Sequence, residues 1–278
     1  MTETLKETTP IRRETVSLAG REVDLCRAGQ GGELLFLHSG PSPVYDSRSF
    51  LERLARDHTV FAPGHPGLGR LPRPAEFRRI DDLVYFYLDL VDELGLRGRP
   101  VVAASVGGWI AAEMALRDPG LFSAMVLINP LGLRVGAPMD RPIADIWAMP
   151  RTDRRALQFA RAEFQSDDPA GRSDEELLEL ARFEENLSRY AWKPFLHNPV
   201  LARWLGRIRT RTLVIRGAED RFVAEAVHRA LAEGLPNAHL ALVSGAGHQP
   251  HVEDPVAVAL VIDDFLNDCR STEGSAPR

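Results

Sequence analysis

The segment Pro100-Val101-Val102-Ala103-Ala104-Ser105-Val106-Gly107-Gly108-Trp109 restricts the fold more than any other part of the chain. An apolar, β-type run ends on a serine with small residues two positions before and two after it, and helical spacing from Trp109 to Arg117 follows at once. Such a sharp strand-to-helix turn tolerates little bulk at Ala103 and Gly107, and it lifts the serine hydroxyl clear of the backbone in a strained conformation. The usual form of the turn is G-x-S-x-G; here alanine stands in for the first glycine. Ser105 is the candidate nucleophile.

A chain of 278 residues with 44% hydrophobic and 26% charged residues accommodates one substantial domain, or one domain carrying an insertion, and is not a disordered chain. The net charge of −5 supplies no basic footprint for nucleic acid or an anionic membrane. Almost every basic residue is arginine, Lys6 and Lys193 being the lysines, which reads as a coding bias. Cys26 and Cys269 lack metal-ligand spacing and fit a reducing compartment better than a disulfide framework. Met1 to Pro10 carries no secretory signal pattern and no stretch is long enough to span a membrane, so the expected location is the cytoplasm.

Elements follow from periodicity. Thr15 to Leu18 and Arg21 to Cys26 read as strands joined at Ala19-Gly20 in a hairpin. Glu33 to Leu37 suits a strand buried on both faces, and it ends in the rigid loop His38-Ser39-Gly40-Pro41-Ser42-Pro43. A helix over Ser49 to Arg56, a strand over His58 to Ala62 and a second glycine-rich loop over Pro63 to Gly69 come next. A helix over Asp81 to Leu94, with Asp81 as N-cap and Gly95 as stop, precedes the Ser105 turn, and Ser123 to Ile128 is a further buried strand.

Between Arg134 and Leu205 the alternation stops. A proline-rich passage (Pro138, Pro142, Pro150) leads into predicted helices over Asp153 to Gln165 and Asp174 to Trp192, the second opening on the capping-box sequence Ser173-Asp174-Glu175-Glu176. Trp147, Phe159, Phe164, Phe183, Tyr190, Trp192, Phe195 and Trp204 either pack this pair on the core or line a pocket under it; both uses stay open. Strands over Thr212 to Gly217 and His239 to Val243, with helices over Val223 to Glu233 and Asp254 to Cys269, restore the rhythm of a mostly parallel sheet covered on both faces. The implied division is a core over 1–133 and 206–270, an inserted helical cover over 134–205, and a disordered tail over 271–278.

A serine hydroxyl needs a base to take its proton, and the base needs an acid to hold its tautomer. In a parallel sheet the loops at the carboxyl ends of the strands share one edge, where such groups can meet. The loop after Gly217 offers Glu219 and Asp220, and the loop after Val243 runs Ser244-Gly245-Ala246-Gly247-His248. The order Ser105, Asp220, His248 results, with Glu219 as the alternative acid and His251 as the alternative base.

The chain resembles the α/β-hydrolase superfamily, specifically its cap-bearing serine hydrolases, similar to carboxylesterases and ring-cleavage-product C–C hydrolases. His38-Ser39-Gly40-Pro41 resembles the family's His-Gly-x-Pro loop, Pro63 to Gly69 its Pro-x-His-Pro-Gly-x-Gly loop, and Gly217-Ala218-Glu219-Asp220 and Gly247-His248 its acid and base loops. Ser39 stands where the family usually has glycine, and Ala104 where a larger residue often precedes the nucleophile. The resemblance spans about residues 15 to 268 and implies an eight-stranded, mostly parallel sheet, a helical cap inserted after strand 6, and an oxyanion hole made by the backbone N–H groups of Gly40 and Val106. It implies a hydrolase of a small, fairly apolar ester, thioester or lactone. The alternatives are a C–C hydrolase of a vinylogous diketone, a lyase or cofactor-free oxygenase, or a non-enzymatic small-molecule receptor.

Ser39, Trp109, Asn129, Trp147 and Trp192 are the candidate pocket residues. His38 and His65 are expected to brace their loops, His58, His197, His228 and His239 to lie at the surface, and Asp254 to cap a helix ahead of Pro255. No cluster has metal-ligand spacing and no phosphate or dinucleotide fingerprint occurs, so the reading is cofactor-independent. The expected partner is a small-molecule substrate, with a homodimer as an open option and no nucleic acid or membrane.

Overall fold

The apolar runs of the sequence join into one eight-stranded sheet in the computed structural model, which describes residues 10–18, 20–137, 139–166 and 168–273. The strands are β1 (Arg12–Leu18), β2 (Arg21–Ala28), β3 (Gly32–Leu37), β4 (His58–Pro63), β5 (Arg99–Ala104), β6 (Phe122–Ile128), β7 (Arg211–Gly217) and β8 (Ala238–Val243). Their order is β1-β2-β4-β3-β5-β6-β7-β8. Only the β1–β2 and β2–β4 pairs are antiparallel; every pair from β4–β3 to β7–β8 is parallel.

Because successive strand side chains point to opposite faces, each central strand feeds two separate cores. Leu35, Leu37, Val101, Ala103, Met125, Leu127 and Val214 enter one, packed by α2 (Ile80–Glu93), α3 (Val106–Arg117) and α8 (Glu225–Gly234). Leu34, Phe36, Val102, Ala104, Val126, Ile128 and Ile215 enter the other, packed by α1 (Arg48–Leu54) and α10 (Pro255–Glu273). Burial on both faces explains why these strands read as unbroken apolar runs rather than alternating ones.

Between β6 and β7 the described residues form α4 (Arg151–Gln158), α5 (Ala162–Gln165), α6 (Asp174–Ala191) and α7 (Leu201–Trp204), with no strand longer than an isolated bridge. The capping box of α6 forms as its sequence indicates: Ser173 Oγ accepts from Glu176 N, and Glu176 accepts from Ser173 N. The segment is tied down at the sheet edge. Tyr190 donates to Pro66 O and Asn186 to Gly67 O, and Arg13 on β1 pairs with Asp24 and with Glu179 of α6.

Three expectations change. The helix expected over 153–165 breaks at Phe159-Ala160-Arg161, because Glu253 of α9 (Pro250–Glu253) accepts the N–H groups of Ala160 and Arg161, each at 2.8 Å, and draws them out of helical register. α2 begins one residue earlier than expected: its N-cap is Arg79 rather than Asp81, and Asp82 accepts from Arg79 N. Gly95, at φ +67°, does end it. The closing helix runs to Glu273, so 271–273 are helical; 274–278, like residues 1–9, Ala19 and Pro138, lie outside the described residues. Asp254 caps α10 as read, its Oδ1 accepting from Ala257 N.

Candidate active site

Ser105 stands between β5 and α3 at φ 50° and ψ −113°, a conformation a β-carbon resists and the surrounding elements impose. The reason for the small neighbours is measurable. A β-carbon on Gly107 would come within 2.3 Å of Leu37 O, and one on Gly108 within 2.8 Å of the Pro130 side chain. Glycine there lets the helix settle against β3 and β6.

The loops after β7 and β8 bring the acid and base to this serine. Ser105 Oγ lies 2.9 Å from His248 Nε2, and His248 Nδ1 lies 3.0 Å from Asp220 Oδ2. Asp220 is held on all sides: its Oδ1 accepts from Phe222 N and Val223 N, its Oδ2 from Asn129 Nδ2 at 2.6 Å. Burial pushes its pKa up, but the charge and hydrogen bond of His248, with the backbone donors, outweigh this and hold it down at about 2. An ionised Asp220 fixes the proton of His248 on Nδ1, which leaves Nε2 to accept from the serine hydroxyl. The backbone closes just as tightly behind the base, since Gly217 has room only for hydrogen against Gly247 O.

The alternative residues have other occupations. Glu219 accepts from Ala246 N in the base loop. His251 is buried between Phe36 and Phe50, with Nε2 3.4 Å from Ser39 Oγ, and burial lowers its pKa to about 3. His38 and His65 brace the two loops as expected. His65 N donates to His38 Nε2, His65 Nε2 donates to His38 O, His38 Nδ1 donates to Gly40 O, and Tyr87 Oη donates to His65 Nδ1. Each imidazole thus uses both nitrogens in its neutral form, and burial holds both pKa values low.

A cavity of about 80 Å³ adjoins Ser105. Ser39, Gly40 and Val106 border it, with Leu131, Ile146, Phe159, Phe183, Leu187 and Phe222 as apolar wall. Val106 opens α3, so its N–H has no acceptor within the helix. The four larger candidates do not reach this space. Trp109 donates to Glu113 of its own helix α3, while Trp147 packs at a tilt against Trp192, which is 55% exposed, in a separate groove. Asn129 is fully buried beside Asp220 and Gly217 rather than in the cavity. Two of the histidines expected at the surface are buried as well: His58 pairs with Asp263 of α10, and His228 sits on the buried face of α8 with neither ring nitrogen bonded.

The sequence reading missed a charged side of the cavity. Asp46, Arg151, Arg154, Arg155 and Glu184, with the neutral Gln249, line it beside the apolar residues. Gln249 accepts from Ser39 Oγ at 2.8 Å. The available signal was Arg151, Arg154 and Arg155 at i, i+3 and i+4, a spacing that puts all three on one helix face. Among the described residues no group of three or more His, Cys, Asp or Glu side chains is placed to hold a metal, and no helix is long and apolar enough to cross a membrane.

Known proteins share this architecture. A crystal structure of a meta-cleavage product hydrolase (CumD) superposes with a TM-score of 0.76 over 92% of this chain and 98% of its own at 20% identity, and an esterase from Thermogutta terrifontis with 0.72 over 93% and 99% at 18%. At those identities the likeness speaks for the fold alone. In sequence, a protein of Pseudomonas savastanoi pv. phaseolicola named as the carbamate hydrolase RutD is 32% identical over 78% of this chain and 86% of its own length. A 2-hydroxymuconate semialdehyde hydrolase of Pseudomonas putida is 29% identical over 92% and 94%. The model of the alpha/beta hydrolase family matches residues 34–260, from β3 through the acid and base loops into α10, and the chain belongs to that family.

Proposed function

We propose that the protein is a serine hydrolase that cleaves a small carbonyl compound, an ester, thioester or lactone, through an acyl-enzyme. Ser105 Oγ attacks the carbonyl carbon while its proton passes to His248 Nε2, and Asp220 stabilises the imidazolium through Nδ1. The imidazolium then protonates the leaving oxygen or sulfur, and water, deprotonated by the same nitrogen, releases the acid. The N–H groups of Val106 and Gly40 receive the developing oxyanion, a contribution of about 3–4 kcal/mol per donor in hydrolases of this type. The segment 134–205 serves as the cap that closes the cavity over Ser105.

The observation that carries this reading is the unbroken chain Ser105–His248–Asp220 at 2.9 and 3.0 Å beside a cavity. Its test is Ser105→Ala. Turnover of 4-nitrophenyl acetate should fall by at least 10³-fold, in line with removal of a nucleophile from such an ensemble, and stoichiometric fluorophosphonate labelling should vanish. Unchanged turnover in that variant refutes the assignment.

A second reading, cleavage of a carbon–carbon bond beside a carbonyl, is favoured by the 2-hydroxymuconate semialdehyde hydrolase relative, which spans nearly the whole chain. Side-by-side rates on a vinylogous diketone and on aryl esters separate the two: a diketone rate far above the best ester rate replaces the first reading with the second.

A further inference from the structure

Resting on the serine-hydrolase reading, we propose that the side-chain amide nitrogen of Gln249 selects the substrate, whose acyl group carries a second, neutral oxygen that accepts from it. Gln249 directly follows the base His248, and its Oε1 is taken by Ser39 Oγ at 2.8 Å; Ser39 in turn directly precedes Gly40. The amide therefore bridges the loop after β8 to the loop after β3, and Ser39, Gly40, Ser105 and Gln249 border one cavity. Gln249 is nine-tenths buried. Its Nε2 nevertheless donates to nothing among the described residues and keeps accessible surface at that cavity.

Which end of an amide faces an open space is settled by the partners at its other end. His251, held between Phe36 and Phe50, puts Nε2 3.4 Å from Ser39 Oγ, while its Nδ1 is buried without a partner. A buried ring N–H with no acceptor is the costlier orphan, so the one proton of this imidazole, which burial keeps neutral, belongs on Nε2 and goes to Ser39 Oγ. Ser39 then has its own proton to give, and Gln249 Oε1 takes it. The line from His251 through Ser39 to Gln249 runs in one direction and ends in an N–H donor at the cavity. The charged side chains of the wall have counter-ions already: Asp46 meets Arg155, and Glu184 meets Arg151 and Arg154. A neutral ether, keto or hydroxyl oxygen therefore suits Gln249 better than a further charge. A methylene in its place would strip water from the donor and return nothing. With about 80 Å³ available, that oxygen must lie close to the carbonyl carbon that Ser105 attacks.

The experiment uses pairs of 4-nitrophenyl esters that differ by one oxygen in place of a methylene: methoxyacetate against butyrate, and 3-methoxypropanoate against pentanoate. Each kcat/KM is divided by the ester's rate of alkaline hydrolysis, which removes the ether's own activation of the carbonyl. The wild-type protein should favour the ether in at least one pair by about tenfold, the worth of one hydrogen bond. Gln249→Met, which keeps the length and loses the donor, should abolish that preference. Gln249→Glu, which still accepts from Ser39 but offers an acceptor where the donor was, should favour the alkyl ester. No ether preference in the wild type, or a preference untouched by Gln249→Met, overturns the proposal. Saturation-transfer NMR of methyl methoxyacetate and methyl butyrate with Ser105→Ala reads the donor without turnover: the ether ester should bind more tightly, and equal binding overturns the donor while leaving the role of Ser105 to its own test. The same measurement decides if the Gln249 variants fail to fold.

Discussion

Asn129 donates to Asp220 Oδ2 and accepts from Gly217 N, so one neutral side chain sets the acid and the end of β7 relative to each other. It does so at φ 40°, a backbone conformation asparagine tolerates better than most residues. Asn129→Ala would strip one donor from Asp220 and orphan the Gly217 N–H. We expect kcat to fall about 10- to 100-fold, as a small misplacement of the base can do, with KM changing less. Asn129→Asp should cost more, since two carboxylates in that space must share a proton, and the acid limb of the kcat–pH profile should move to higher pH. A kcat within twofold of wild type in both variants contradicts this role. A place at a strand end leaves Asn129 either a structural or a pocket residue; which way its amide turns depends on partners 88 and 91 residues away. Ser105, Asp220 and His248 were legible because glycines and strand ends mark them locally. Trp147 and Trp192 carry no comparable mark, and aromatic character alone does not say which side of a helix is covered.

At the scale of elements, α9 ties α4 and α5 to the loop that carries His248. Glu253 accepts the N–H groups of Ala160 and Arg161 with one oxygen and of Gly247 with the other, and His248 N donates to Gln158 O at 2.7 Å. Hydrogen bonds to a charged acceptor are worth about 1.5–3 kcal/mol each. Glu253→Ala should therefore destabilise the fold by at least about 2 kcal/mol in denaturant unfolding, and it should lower kcat for neutral esters, because the peptide preceding His248 loses its anchor. Full stability together with full kcat would show the contact to be incidental. Strands and the α6 start were readable in advance because their signals, apolar runs and Ser173 with Glu176, are local. The break at 159–161 was not, because the group that makes it lies 92 and 93 residues downstream.

Across the whole molecule, the buried histidines make acid the weak side of this fold. His65, His228 and His251 sit at about 4, 4 and 3, burial being the main cause in each, and His38 lies well below its ordinary range. A histidine whose folded pKa is depressed contributes its full stability above the unfolded value of about 6.5, and loses it as pH falls from there toward the folded value, because the unfolded chain takes up the proton first. Asp220 has its own window, with stability present above about 3.8 and lost as pH drops toward 2. Thermal midpoints should be level near pH 7–8 and decline steadily from pH 6.5 to 4, before carboxylate protonation adds to the loss. His228→Leu, which removes two unbonded buried nitrogens, should flatten that decline by about 2–3 kcal/mol at pH 4 relative to pH 7; an unaltered slope would assign the loss to other groups. The surface expectation for His58 and His228 fails because their burial comes from tertiary packing, of α10 over the first and of α8 against the sheet for the second.

The sheet is threaded so that β5, which leads into Ser105, leaves the ribosome well before β7, laid beside β6, and β8, laid beside β7, both of which follow the whole helical excursion. On the proposed mechanism, a nascent chain holding its hydroxyl but not yet residues 220 and 248 lacks its general base and acid, so fragments ending upstream of β7 should show no esterase activity when assayed.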